Sequence, residues 1–394
     1  MFDEEKNIQQ GENPADNPVK QNTEKFNNGN FYNAPPQQYQ PPYGQQYQSP
    51  IQQNPYYQGF YQPKVVYVPV PTPSKPITKE ETERKRIRKT ANVIGFSFLT
   101  FEVLLYAISI ILHVVLALIG LDSNKTYQFL NDPIIMQIQQ IVISSFLFTI
   151  PFIVIFKIGK FRISDLISFK KPLKGSFFPF FMLGIAGCSF ANIVVSQIGS
   201  FFDMFGIEYS VDFGENPTGV YGFLLSFIAT AIVPALVEEF ACRGIVLGSL
   251  RKHGEGMAIF VSALLFGLMH ANFEQIPFAF ILGLVFGYIT VRSGSIWIAV
   301  LLHFYNNAVS VIFSYASMAV SETIINIVYT LFLVLMLILG GISFAFAQNR
   351  DELLKLENTD TKNGFWKKTF SALLSVPIII VSVKFLLDAC QYFK

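Results

Sequence analysis

The chain has 394 residues, 51% of them hydrophobic, with 29 Lys+Arg against 27 Asp+Glu. That balance is too apolar for an ordinary soluble domain and, at a net charge of +2, gives no sign of nucleic-acid binding. Its three cysteines, Cys188, Cys242 and Cys390, each fall in apolar stretches and outline neither a disulfide framework nor a cysteine metal site.

Residues 1–76 form a region of their own, rich in Pro, Gln, Tyr and Asn, as in Pro41-Pro42-Tyr43-Gly44-Gln45. Such a composition buries too little apolar surface to offset the entropy of ordering it, so a disordered cytoplasmic tail is expected, with a partner the sequence does not name. Met1 to Gln10 is acidic and polar and has no apolar run, so no signal peptide is expected. Residues 77–91 form a basic juxtamembrane segment with Arg84, Lys85, Arg86, Arg88 and Lys89.

From residue 92 onward the chain alternates apolar windows and polar loops. Windows of about 20 apolar residues match the ~30 Å hydrocarbon thickness of a bilayer. The spacing predicts an all-α polytopic membrane protein of about nine transmembrane helices: Asn92–Gly120, Ile134–Phe156, Ser176–Met204, Val220–Gly248, Met257–Ala271, Gln275–Val291, Ile296–Ser317, Glu322–Phe346 and Thr369–Ala389. Lys384 and Asp388 shorten the apolar part of the ninth, which leaves a span, an interfacial helix or a re-entrant segment open.

The loops after the second, fourth, sixth and eighth spans hold Lys157, Lys160, Arg162, Lys170, Lys171, Lys174, Arg251, Lys252, Arg292, Lys367 and Lys368. The alternate loops hold Asp122, Asp132, Glu208, Asp212 and Glu215, with Lys125 the one base. Basic loops stay on the cytoplasmic side, so a multi-pass plasma-membrane protein with a cytoplasmic N-terminus is expected.

Ionisable groups within a bilayer cost several kcal/mol unless paired or wet, so each one is a candidate for function. The fourth span carries Glu238, Glu239 and Arg243. Glu239 and Arg243, four apart with the acid first, are set to form an ion pair. Glu238 points about 100° away and has no partner on its own helix, which suits a base. The fifth span carries Phe266 and His270. A fold-back about Gly254 brings Glu238 opposite His270. The seventh carries His303 and Asn307, four apart on one face and able to donate to an oxygen that gains negative charge. Asn306 falls on an adjoining face. Glu102 and His113 share no spacing with these groups and are assigned to packing or to the cavity wall, and Asn192 and Gln197 to interhelical hydrogen bonds.

Glu238-Glu239-Phe240-Ala241-Cys242-Arg243, Phe266-Gly267-Leu268-Met269-His270 and His303-Phe304-Tyr305-Asn306-Asn307 resemble the Glu-Glu-x-x-x-Arg, Phe-x-x-x-His and His-x-x-x-Asn motifs of the CPBP family. These are the CAAX-protease and bacteriocin-processing proteins, also called Abi, related to Rce-type prenyl-protein endoproteases. The resemblance covers about residues 219–316. It implies an intramembrane endopeptidase acting on a peptide or membrane-protein substrate in the lipid bilayer, with a cavity open to the cytoplasmic side. It also implies Glu238 and His270 as water activators, His303 and Asn307 as the oxyanion site, and Glu239 and Arg243 as their support. The family is described both as metalloproteases and as metal-independent glutamate enzymes. Glu238, His270 and His303 are the candidate ligands for a divalent metal such as zinc, although no His-Glu-x-x-His helix is present.

Two other readings stand beside this one. The buried charges would also suit a transporter or channel, against which no pair of broken helices recurs in two halves of the chain. A non-catalytic bacteriocin-immunity or partner-binding membrane protein is the third reading, and intact motifs argue against it.

Overall fold

A computed structural model describes residues 78–394, apart from 174, 176, 208, 210, 212–213, 348–355, 357–362 and 394. The tail at 1–76, and the loop charges Lys174, Glu208 and Asp212, lie outside the described residues.

Helix α1, Lys79–Leu118, opens with a reciprocal cap: Thr78 Oγ1 accepts the Glu81 amide at 3.2 Å, and Glu81 Oε2 accepts the Thr78 amide at 3.1 Å. The basic segment is thus the first part of a 40-residue helix, about 60 Å long. A short helix α2, Ser123–Leu130, leads to α3, Pro133–Ile158, whose start is fixed by Pro133 and by Asp132 Oδ1 accepting the amides of Ile134 and Ile135. Then follow α4, Phe177–Met204; α5, Gly219–Arg251; α6, Glu255–Leu268; α7, Gln275–Ser293; α8, Trp297–Ala316; and α9, Glu322–Ala347. Helices α10, Phe365–Leu373, and α11, Val376–Cys390, meet at a 75° bend.

Seven of these helices are long and apolar enough to cross a membrane, and eight if α10 and α11 count as one broken span. The expected fifth span is the exception. As α6 it has 14 residues, about 21 Å, and stops short of a full crossing. The ninth window is split by the bend after Leu373.

Two kinds of surface distinguish a membrane bundle. Large apolar side chains stand outward, for example Val103, Ile110 and Ile111 on α1 and Leu331, Leu335 and Ile338 on α9. Inside, small residues let backbones approach, since lipid gives apolar side chains no drive to leave it. At the crossing of α6 and α7, a Cβ added to Gly283 would stand 2.7 Å from Ala263 Cα.

Contacts between loops sort the two ends of the bundle. At one end the 161–173 loop meets the start of α8, where Ile296 N donates to Ser168 O at 3.1 Å and Trp297 Nε1 donates to Phe169 O at 3.2 Å. Lys252 lies over the Phe161 ring, Lys368 Nζ donates to His253 O at 2.7 Å, and Asn363 Nδ2 donates to Glu80 O at 3.1 Å. This is the basic end. At the opposite end Tyr315 OH donates to Pro217 O at 2.6 Å, Asn216 Nδ2 donates to Ser314 Oγ at 2.8 Å, and Tyr209 accepts the Phe273 amide while packing on Phe393.

Lys384 and Asp388, which made the last span doubtful, are paired. Lys384 Nζ bonds Asp388 one turn on and reaches Glu102 of α1 at 2.6 Å. Glu102, read from sequence as packing, is thus the partner that lets a charged α11 sit beside α1.

Candidate active site

Helix α5 owes its shape to two widened, π-helical stretches, Phe227–Ile232 and Phe240–Leu247, on either side of Glu238 and Glu239. π-turns inside α-helices commonly mark functional positions. Pro234 sits just after the first. It has no N–H to give the Thr230 carbonyl four residues back. Asn307 Nδ2 of α8 supplies that hydrogen bond instead, at 2.9 Å.

The expected ion pair is present: Arg243 Nη1 donates to Glu239 Oε1 at 2.8 Å, and neither side chain has any exposed surface. The Arg243 guanidinium lies 4.0 Å from the Phe266 ring centroid, a cation–π contact made strong by desolvation. Glu239 Oε1 also meets His303 Nδ1 at 2.9 Å. The carboxylate is acceptor only, so Nδ1 carries the hydrogen and Nε2 is left to face the cavity. His303 Nε2 stands 3.9 Å from Glu238 Oε2.

His270 is fixed by the same logic. Its Nδ1 lies 2.8 Å from the Phe266 carbonyl, which accepts, so Nε2 holds a lone pair in the neutral ring. Behind it Ala271 adopts φ +52°, a left-handed conformation that costs a non-glycine residue about 1 kcal/mol. This ends α6 at the site and turns the chain into α7, whose first amide, Gln275 N, donates to Asn272 Oδ1 at 2.8 Å.

These side chains meet around one cavity of about 390 Å³, lined by Glu238, His270, His303 and Asn307 among others. Glu239 and Arg243 sit behind its wall. The six residues singled out in the sequence are therefore one constellation. A second cavity of about 610 Å³ continues the first, sharing Gln140, Thr230, Gln275 and Ser310 with it.

Asn306, set aside in the sequence, belongs to the site. A directional chain of hydrogen bonds runs from Tyr329 OH to Asn192 Oδ1 (3.0 Å), from Asn192 Nδ2 to Asn306 Oδ1 (3.2 Å), from Asn306 Nδ2 to Asn307 Oδ1 (3.1 Å) and from Asn307 Nδ2 to the Thr230 carbonyl. Each link fixes which end of an amide is donor and which acceptor. The adjoining-face position of Asn306 carried no spacing signal, because its partner Asn192 lies 114 residues away. Gln140 and Glu274 also line the cavity without having been singled out. His113 bonds the Ser109 carbonyl and lines a separate hollow with Ala117 and Leu121.

No group of three or more His, Cys, Asp or Glu side chains among the described residues is arranged to hold a metal ion. Glu238, His270 and His303 share the cavity, yet as oriented they do not form a zinc ligand set.

The fold and this site define a helical membrane protein with a polar, partly enclosed constellation of carboxylate, imidazole and amide groups. Residues 220–309 match the family described as "Type II CAAX prenyl endopeptidase Rce1-like", and that segment carries all three motifs that resemble the CPBP family. Over 89 residues it is 29% identical to the protein named "Putative membrane peptidase YdiL" of Bacillus subtilis (strain 168). That match covers 22% of this chain and 36% of the relative, so the similarity spans about a third of that curated protein. No solved structure matches.

Proposed function

We propose that the protein is an intramembrane endopeptidase that hydrolyses a peptide bond with water activated by Glu238 and His270. The observation that carries this reading is the shared cavity lined by Glu238, His270 and His303, in which His303 Nε2 stands 3.9 Å from Glu238 Oε2 and the Nδ1 atom of each ring is bonded from behind.

A water held between the Glu238 carboxylate and His270 Nε2 donates one hydrogen bond to each and loses a proton to Glu238 as its oxygen attacks the carbonyl carbon. The carbonyl oxygen becomes an oxyanion. The second N–H of Asn307 and a protonated His303 Nε2 donate to it, in a site where water no longer screens them. Glu238 then gives its proton to the amide nitrogen, the C–N bond breaks, and a carboxylic acid and an amine leave. Glu239, held between Arg243 and His303, keeps the His303 ring turned so that Nε2 faces the cavity.

The test uses purified full-length protein in lipid vesicles with a library of extended peptides, read by mass spectrometry. New termini are expected with the wild type and should be absent with Glu238→Gln of equal folded content. Equal cleavage by both proteins would discard the reading.

A further inference from the structure

We propose that the scissile polypeptide enters from the non-cytoplasmic face of the membrane, so that the substrate is a peptide segment presented on that face. This rests on the peptidase reading above for its chemistry, but the direction of entry stands on geometry.

The two joined cavities lead away from the basic end. Their outer part is lined by Gln137 of α3, Asn216 of the loop before α5, Gln275 at the first turn of α7, and Ser314 near the last turn of α8. Each of these lies at the end of the bundle where Tyr315 meets Pro217. On α3, Gln140 stands seven residues from Pro133 but eighteen from Ile158, about 10 Å from one end and about 27 Å from the other.

Towards the basic end the route is closed. Below Glu239 and Arg243 lie Ile245, Val246, Leu250, Met257, Ala258 and Val261, all at 2% exposure or less. Arg251 and Glu255 pair beneath them at 2.6 Å. Ser249 and Ser262 within that layer spend their hydroxyls on the carbonyls of Val246 and Cys242, so the packed layer offers water or peptide no free polar group among these residues.

The basic end carries Lys157, Lys160, Arg162, Lys170, Lys171, Arg251, Lys252 and Arg292, and such loops are retained in the cytoplasm. The mouth is therefore on the other face. This differs from the cytoplasmic opening that the family resemblance implies, and it removes a cytoplasmic prenylated C-terminus from the candidate substrates. The chemistry of the mouth fits a polypeptide: Gln137, Gln140, Gln275 and Asn216 offer carboxamides, which pair with peptide groups donor to acceptor.

The experiment uses the full chain with Cys390, its one exposed cysteine, changed to serine. Single cysteines are placed by Ser310→Cys, which lines both cavities, by Ser314→Cys at the mouth and by Lys171→Cys at the basic end. Intact cells are treated with a membrane-impermeant maleimide. Ser310→Cys and Ser314→Cys should react before permeabilisation, and Lys171→Cys only after it. Reaction of Lys171→Cys from outside, with the cavity positions reacting only after permeabilisation, would overturn the proposal whether or not any peptide is cleaved. In the peptidase assay, a bulky maleimide on Ser314→Cys should lower cleavage at least tenfold, and one on Lys171→Cys should leave it within twofold. Unhindered cleavage after blocking the mouth also overturns the entry route, while the peptidase reading survives.

Discussion

Glu239 Oε1 accepts a hydrogen bond from His303 Nδ1 at 2.9 Å while it neutralises Arg243. One buried carboxylate therefore holds a charge in place and selects which imidazole nitrogen faces the cavity. Its neighbour Glu238, one residue earlier, lines the cavity itself. Adjacent positions on one helix thus have opposite demands, and substitution should separate them.

Glu238→Gln should reduce turnover by about 10²–10⁴-fold, the range for a lost general base, with thermal stability near that of the wild type. Glu239→Gln should destabilise the protein by about 3–5 kcal/mol, because Arg243 keeps its charge in a dry site. Tm and cleavage per folded molecule distinguish the two. Unchanged stability in Glu239→Gln would remove the supporting role assigned to that carboxylate.

Asn306→Ala should lower kcat about tenfold with little change in KM. It removes the group that orients Asn307 for the oxyanion, and a tenfold loss corresponds to about 1.4 kcal/mol, within the range for an unpaired buried polar group. Tyr329→Phe, at the far end of the same chain, should change kcat less than threefold. Steady-state kinetics on the two variants is the measurement, and a KM effect without a kcat effect would place Asn306 in substrate binding instead.

Lys384→Ala leaves Glu102 and Asp388 without their common partner between α1 and α11. Tm should fall, with a loss on the order of 3 kcal/mol. The triple variant Glu102→Leu, Lys384→Leu, Asp388→Leu should recover most of it, since apolar groups of similar volume replace buried ion pairs at little cost. Failure of the triple variant to recover would mean that the cluster has a role besides neutralising itself.

His253 lies in the α5–α6 connection, and burial, with Lys252 beside it, pushes its imidazole down to about 4. The native state thus holds the neutral ring, and the unfolded chain takes up a proton first, near pH 6.5. The stabilisation is complete above about pH 6.5 and is lost as pH falls towards 4. Wild-type Tm should decline over that window more steeply than Tm of His253→Gln, measured in the same detergent. Parallel curves would mean that His253 is solvated.

Some of this architecture was legible in the chain and some was not, for physical reasons. Motif pairs four residues apart report one helix face, so Glu239 with Arg243 and His303 with Asn307 could be read directly. The fold-back about Gly254 placed Glu238 and His270 at one level, and both line the cavity. Contacts between distant helices leave no such spacing. Asn306 with Asn192, and Lys384 with Glu102, became visible only when the helices were packed. Hydropathy counted Met257–Ala271 as a span because apolar content does not reveal that α6 ends at Leu268, ahead of a strained Ala271.

The π-helical stretches of α5 make its chemistry depend on residue count. The wide winding of Phe227–Ile232 holds one residue more than ordinary winding would, so deleting one residue there and tightening the stretch would leave the outer part of the helix facing as before, with the disturbance local to the Thr230 carbonyl that Asn307 holds. The ordinarily wound Val233–Glu239 has no such spare residue, and a deletion in it rotates one part of the helix about 100° against the other. A one-residue deletion at Val233 or Leu236 should consequently be more harmful than one at Phe227 or Ile228, although both leave every side chain of the motifs untouched.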